Sequence, residues 1–251
     1  MTPDLSRLLP TQPAIIVPVA AATPADVLDQ VRAAATSPDV DAIEWRVDYL
    51  IDAVSLADLR RLSRQIYAEA TPSRVLTTVR SASEGGALEI RPARYLDLYD
   101  TLLRCGARSI DVELSQPLAG EVITRAHEMG ALVVGSIHDW DGALDSAEQL
   151  AAVNRLAELG ADVVKIARYI ADAEAYLDFL SFVRAYVAGP DARPLIAAGM
   201  GPLGCLARAG AGALGVAATF ASLDVVTAPG QLRAAQLRAL WEGAELRAPR
   251  A

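Results

Sequence analysis

Lysine is nearly absent from this chain. Of 23 lysines and arginines in 251 residues, only Lys165 is lysine. A lysine kept once where arginine stands everywhere else marks a place a guanidinium cannot serve. Arginine can pair with a carboxylate, but it cannot become a free amine or form an imine. Histidine is as scarce, with only His127 and His138. Cys105 and Cys205 are the two cysteines, with no CxxC and no Cys/His cluster. That argues against a disulfide framework and a zinc site, and it fits a reducing, cytoplasmic setting. Basic runs are missing too: Asp and Glu number 31 and the net charge is -8, which argues against nucleic acid and anionic membranes as partners. The longest weakly polar stretch, Ala209 to Leu223, is too short for a membrane span of about 20 residues. Ala14 to Ala22 is apolar like the core of a signal peptide. Asp4 and Pro10, however, sit where a basic segment belongs, so the run reads as a first buried strand.

What is present is alternation. Hydrophobic residues make up 53% of the chain, enough for a sizeable core in one large domain. Short apolar runs occur at Ala14–Val19, Ala42–Val47, Arg74–Val79, Ser109–Leu114, Leu132–Ile137, Val163–Ala167, Pro194–Ala198 and Leu214–Thr219. Amphipathic stretches separate them, one opened by Thr23-Pro24, others over Asp145 to Leu159 and Asp172 to Val187, and a last one opened by Pro229. Strand and helix in regular succession predict a (β/α)8 TIM barrel, α/β in class, as a single domain over 14–245. A 1–13 tail, flexible or barrel-closing, would precede it and a 246–251 tail follow. A doubly wound sheet is the alternative, but Ala20-Ala21-Ala22-Thr23 stands where its GxGxxG loop belongs.

A barrel places its chemistry at the ends of its strands. Glu44, Arg46 and Asp48 alternate on the second strand, so the spacing predicts one shared face. Arg80 ends the third strand, Asp111 and Glu113 lie on the fourth, and His138 ends the fifth. Lys165 sits among apolar neighbours on the sixth. Desolvation there favours the free amine, a nucleophile toward carbonyls; the competing reading is a structural lysine paired with Asp111 or Glu113. His138 is a candidate general acid/base, whereas His127 reads as a solvated helix residue. Arg46, Arg80 and Arg208 could hold an anionic or polyhydroxylated substrate, or serve in structural ion pairs.

These residues resemble type I 3-dehydroquinate dehydratases. The resemblance is carried by Glu44-Trp45-Arg46-Val47-Asp48, Thr78-Val79-Arg80-Ser81 with Glu84-Gly85-Gly86, and Ile110-Asp111-Val112-Glu113-Leu114. It continues through Ser136-Ile137-His138-Asp139, Ala161 to Ala167, Thr219 to Leu223 and Ala228-Pro229-Gly230-Gln231. It implies a lyase that dehydrates 3-dehydroquinate, a small carboxylate, to 3-dehydroshikimate in the shikimate pathway or in quinate breakdown. It implies a homodimer without metal or cofactor. Lys165 would form the Schiff base, His138 would move the proton, and Glu84 would orient His138. Glu44, Arg46 and Arg80 would hold ring hydroxyls. Arg208 would clamp the carboxylate, with Thr227 and Gln231 on a closing loop. The sequence departs from that pattern at Pro18, Ala198, Ala207, Val216 and Thr227. Two other readings are a Schiff-base aldolase, which would need Lys165 but not the His138, Glu84 and Arg208 set, and a non-catalytic metabolite-binding homologue.

Overall fold

The computed structural model describes residues 5–10, 13–51, 53–223 and 227–243. Its strands are β1 Ala14–Val19, β2 Ala42–Arg46, β3 Val75–Thr78, β4 Ser109–Glu113, β5 Leu132–Asp139, β6 Val163–Tyr169, β7 Leu195–Met200 and β8 Ala218–Phe220. The helices are α1 Pro24–Thr36, α2 Leu56–Glu69, α3 Pro92–Arg104, α4 Ala119–Glu128, α5 Ser146–Glu158, α6 Ala173–Val187, α7 Gly204–Ala209 and α8 Ala234–Gly243. The strands are parallel and close in chain order into a barrel, β1 bonding both β2 and β8.

Helix starts follow side-chain chemistry. The Thr23 hydroxyl accepts from the Asp26 N–H ahead of Pro24, and Asp145 and Glu148 form a reciprocal capping box at α5. Pro18 lies inside a barrel strand, where a missing N–H usually costs a ladder bond. Here β8 ends at Phe220, opposite Ile16, so no β8 strand residue stands opposite Pro18.

Alternation along the strands divides the barrel interior into two levels. Ile16, Ala42, Leu76, Val134, Val163, Ile196 and Ala218 fill the lower level. Two residues further along their strands come Glu44, Thr78, Ser136, Lys165, Ala198 and Phe220. The period of two therefore places charge directly above an apolar floor. Leu8 and Leu9, following a short 3-10 turn at Leu5–Arg7, pack under that floor, so this part of the lead-in closes the barrel. The expected 246–251 tail lies outside the described residues.

Three expectations shift. The eighth strand occupies Ala218–Phe220 rather than 214–219, because Gly215 (φ 74°) turns the apolar run before it. The last helix begins at Ala234, not Pro229: Pro229-Gly230 forms a turn, and Ser222 bridges to Arg233 before the helix can start. Asp48 is brought to the site by a 3-10 turn over Val47–Tyr49, not by strand alternation.

Candidate active site

A cavity opens at the C-terminal ends of the strands. All nine residues singled out as catalytic or substrate-binding line it: Glu44, Arg46, Arg80, Glu84, His138, Lys165, Arg208, Thr227 and Gln231. One wall is charged. The opposite wall is apolar, made by Pro18, Ala167, Ala198, Met200 and Phe220.

Lys165 is 3% exposed. Its Nζ donates to Asp111 Oδ2 at 3.0 Å and to Glu44 Oε1 at 3.1 Å, and it sits 4.4 Å from the centre of the Phe220 ring. The structural pairing foreseen with Asp111 is present. Glu113 instead accepts from Arg80, Ser81 and Gln116. Burial pushes the Asp111 carboxyl up, but the adjacent Arg80 and Lys165, with a bond from Ser136, bring it down to about 2. Asp111 is thus a fixed negative charge under the amine and not a proton acceptor at neutral pH.

The three arginines are not equivalent. Arg46 forks onto Asp48 at 2.8–2.9 Å. Arg80 binds Asp111 at 2.6 Å and both Glu113 and Ser136 at 2.9 Å, joining β3, β4 and β5. Arg208 is 1% exposed, and its bonds go to the main-chain carbonyls of Gly199 and Phe220. Among the described residues no carboxylate pairs with it. Burial pulls its guanidinium down to about 10. A buried cation with no carboxylate partner among the described residues, beside a cavity, is a candidate anion receptor.

Glu84 and His138 form a hydrogen-bonded pair. His138 Nδ1 lies 2.8 Å from Glu84 Oε2, and the other Glu84 oxygen accepts from the Ser115 hydroxyl. Burial raises the Glu84 carboxyl to about 7 in spite of Arg80. Burial, then Arg80, Lys165 and Arg46, push the His138 imidazole well below its ordinary value, so it is neutral at pH 7. Glu84 is carried by a 3-10 turn over Ala82–Glu84 that ends at Gly85 (φ 78°). The Trp140 ring lies so close over Gly85 that a Cβ there would fall 2.2 Å from it.

Thr227 and Gln231 line the cavity from one loop and bond each other: the Thr227 N–H donates to Gln231 Oε1 at 2.9 Å, and Gln231 Nε2 donates to Thr227 Oγ1 at 3.0 Å. Among the departures, Pro18 and Ala198 line the cavity, whereas Ala207 and Val216 pack in the outer core. His127 is not simply solvated: its Nε2 lies 3.0 Å from Asp162, which accepts from the Val133 N–H. Trp140 and Phe220, not foreseen as lining residues, complete the cavity. Trp140 follows His138-Asp139 directly, which is the one signal that could have marked it. Among the described residues no group of three or more His, Cys, Asp or Glu side chains is placed to hold a metal ion. No helix among them is long and apolar enough to cross a membrane.

The family model of type I 3-dehydroquinase matches residues 15–244. The 3-dehydroquinate dehydratase of Enterococcus faecalis is 33% identical over 229 residues, 90% of each chain. The 3-dehydroquinate dehydratase structure from Geobacillus kaustophilus superposes with a TM-score of 0.87 at 27% identity, over 95% of this chain and 93% of that one. The type I enzyme of Clostridium difficile superposes at 0.86 with 27% identity over 92% of each chain; it was solved with covalently modified comenic acid.

Proposed function

The chain belongs to the type I 3-dehydroquinase family, and we propose that Lys165, His138 and Glu84 carry the dehydration of 3-dehydroquinate to 3-dehydroshikimate. One observation bears most of the weight. The sole lysine of the chain is buried above the barrel floor, in the same cavity as a neutral histidine and an arginine without a carboxylate partner among the described residues.

In this reading the substrate carboxylate supplies the missing counter-charge of Arg208. That anchors one end of the ring and brings its ketone to Lys165. The Lys165 amine, once it has given up its extra proton, adds to the ketone carbon, and the ketone oxygen leaves as water to give a protonated imine. The imine is an electron sink, so the neighbouring C–H becomes acidic. His138 accepts that proton, and the C–H electron pair moves into the enamine. The enamine then expels the hydroxyl across the new double bond, and His138 returns the proton so that it departs as water. Hydrolysis of the imine restores the Lys165 amine and consumes the water its formation released. The net change is the loss of one water.

The environment of His138 suits both halves of that cycle. It is neutral when it must accept, and a buried imidazolium among three cations is a strong acid when it must donate. The Glu84 carboxylate, accepting from Nδ1, leaves Nε2 as the basic nitrogen. Glu44, Arg46 and Arg80 hold ring hydroxyls along the charged wall, and Thr227 and Gln231 close the mouth and keep water from the imine. A dimer follows from the resemblance, a cytoplasmic location from the cysteine usage and a single barrel domain over 14–245 from the alternation, and all three belong to the same reading; sedimentation of the purified chain tests the dimer.

The decisive experiment is borohydride trapping. The protein is incubated with 3-dehydroquinate and reduced, then its intact mass and peptide map are taken. A single adduct on Lys165, with the conjugated enone product seen in the ultraviolet without borohydride, is expected. No adduct and no product would overturn the assignment.

A further inference from the structure

The β3–β4 ladder stops short of the cavity while its neighbour continues. β3 and β4 pair from Leu76 opposite Ser109 to Thr78 opposite Asp111. On the other side of β4, pairing with β5 runs on to Glu113 opposite Ser136. In parallel geometry the next residue of β3 would send its N–H to the Asp111 carbonyl and receive the Glu113 N–H. Neither bond is made directly. The Val79 N–H donates to the Tyr99 hydroxyl at 3.0 Å, and that hydroxyl donates to the Asp111 carbonyl. The Glu113 N–H donates to the Tyr95 hydroxyl at 3.1 Å. Both tyrosines come from α3, are buried, and meet edge to face with ring centres 4.9 Å apart.

Two phenol oxygens therefore stand where strand-to-strand bonds would otherwise be. The Val79 N–H, the Asp111 carbonyl and the Glu113 N–H each keep a partner, yet the strands part by the width of a hydroxyl at the level where Asp111 and Glu113 turn their side chains inward. Burial raises both hydroxyls well above the ordinary tyrosine range, so they remain protonated donors.

We propose that Tyr99, with Tyr95, is a positioning residue: the hydroxyls wedge β3 from β4 at the cavity end and so set the Asp111 carboxylate against the Lys165 amine. The inference rests on the Lys165 reading above. Without the Tyr99 hydroxyl, the Val79 N–H and the Asp111 carbonyl lose their shared partner, and closing to ordinary strand spacing restores one. That moves Asp111 on the order of 1 Å, a displacement able to cost about 100-fold in rate.

The test is Tyr99→Phe and Tyr95→Phe in the full chain, with two readouts. The first needs no substrate: lysine labelled with carbon-13 gives one resonance, from Lys165, which is followed as a function of pH. The second is kcat and KM with 3-dehydroquinate. Expected for Tyr99→Phe are a kcat lower by ~10- to 100-fold, a KM within about threefold, and a Lys165 resonance moved from its wild-type position as Asp111 withdraws. A melting temperature that falls while kcat and the resonance stay as in the wild type would reduce the tyrosines to scaffold and overturn the proposal. Should Tyr99→Phe fail to fold, Tyr95→Phe carries the same two readouts and separates the same two outcomes. If the wild type neither traps nor turns over 3-dehydroquinate, the functional reading fails, while the Lys165 resonance still decides the wedge.

Discussion

Replacing Glu84 by glutamine should raise stability and destroy turnover at once. The carboxyl is buried and accepts from Ser115 while contacting His138 Nδ1. Burial lifts it from 4.5 to about 7, which corresponds to about 3 kcal/mol of preference for the neutral form in the folded chain. Between those two pH values the folded protein holds a proton that the unfolded chain releases, so native stability falls as pH rises through that window. An amide is neutral throughout. Glu84→Gln should therefore match the wild type below pH 4.5 and gain progressively, reaching about 3 kcal/mol by pH 8. The amide nitrogen, however, donates where the carboxylate accepted. With Ser115 holding the amide oxygen, Nε2 of the glutamine faces His138 Nδ1 and forces the imidazole proton onto the other nitrogen. His138 then cannot accept from substrate, and kcat should fall by about 100- to 10,000-fold. Urea titrations at pH 5 and pH 8 on both proteins, with steady-state kinetics at pH 8, measure both effects. A stability difference that stays flat with pH would refute the electrostatic argument, and a kcat within about threefold of wild type would refute the tautomer argument.

Three further outcomes follow from the same structure. Lys165→Arg keeps a cation between Asp111 and Glu44 but has no amine to form an imine, so turnover and borohydride trapping should vanish; substantial residual activity would exclude the Schiff base. Arg208→Ala should act chiefly on KM, by about 2–5 kcal/mol, because the substrate carboxylate loses a cation bonded only to main-chain carbonyls; an unchanged KM in steady-state kinetics would remove the clamp assignment. Leu8→Ala, under the barrel floor, should cost about 2–4 kcal/mol of unfolding free energy and leave KM as it is, checked by urea denaturation alongside kinetics.

The barrel was legible because its inner surface changes character in steps of two. Val163-Val164-Lys165-Ile166 announces a strand with one charge turned inward, and Ser136 and His138 announce the same on β5. Where the rule is local, the reading holds. It fails at β8, where Leu214-Gly215-Val216 is apolar enough to mimic a strand but the glycine turns with positive φ. It fails for Asp48, which a 3-10 turn and not alternation delivers. Most of the nine lining residues were foreseen because they stand at or near a strand end or within a family motif; Arg208, on α7, does not. Beyond Lys165 with Asp111 and Glu84 with His138, their partnerships were not foreseen. That Arg46 and Arg80 have carboxylate partners while Arg208 bonds main-chain carbonyls depends on contacts between strands far apart in the chain. The same holds for the 35-residue reach from His127 to Asp162, and for tyrosines on a helix finishing the bonds of a sheet.

The scarcity of lysine and histidine has an electrical consequence. Between about pH 5.5 and 7, arginine, lysine, cysteine and tyrosine normally keep one charge state and aspartate and glutamate are already ionised, whereas histidine changes charge. Only two histidines are present; His127 lies on the outside beside Asp162, and His138 sits in the cavity beside Glu84, whose carboxyl burial lifts to about 7. The remaining surface, acidic and arginine-rich, should hold its charge nearly constant over that range, so electrophoretic mobility should stay almost level. A proton-uptake curve recorded in that interval then carries a large share of Glu84, and a ligand that enters the cavity should redraw it.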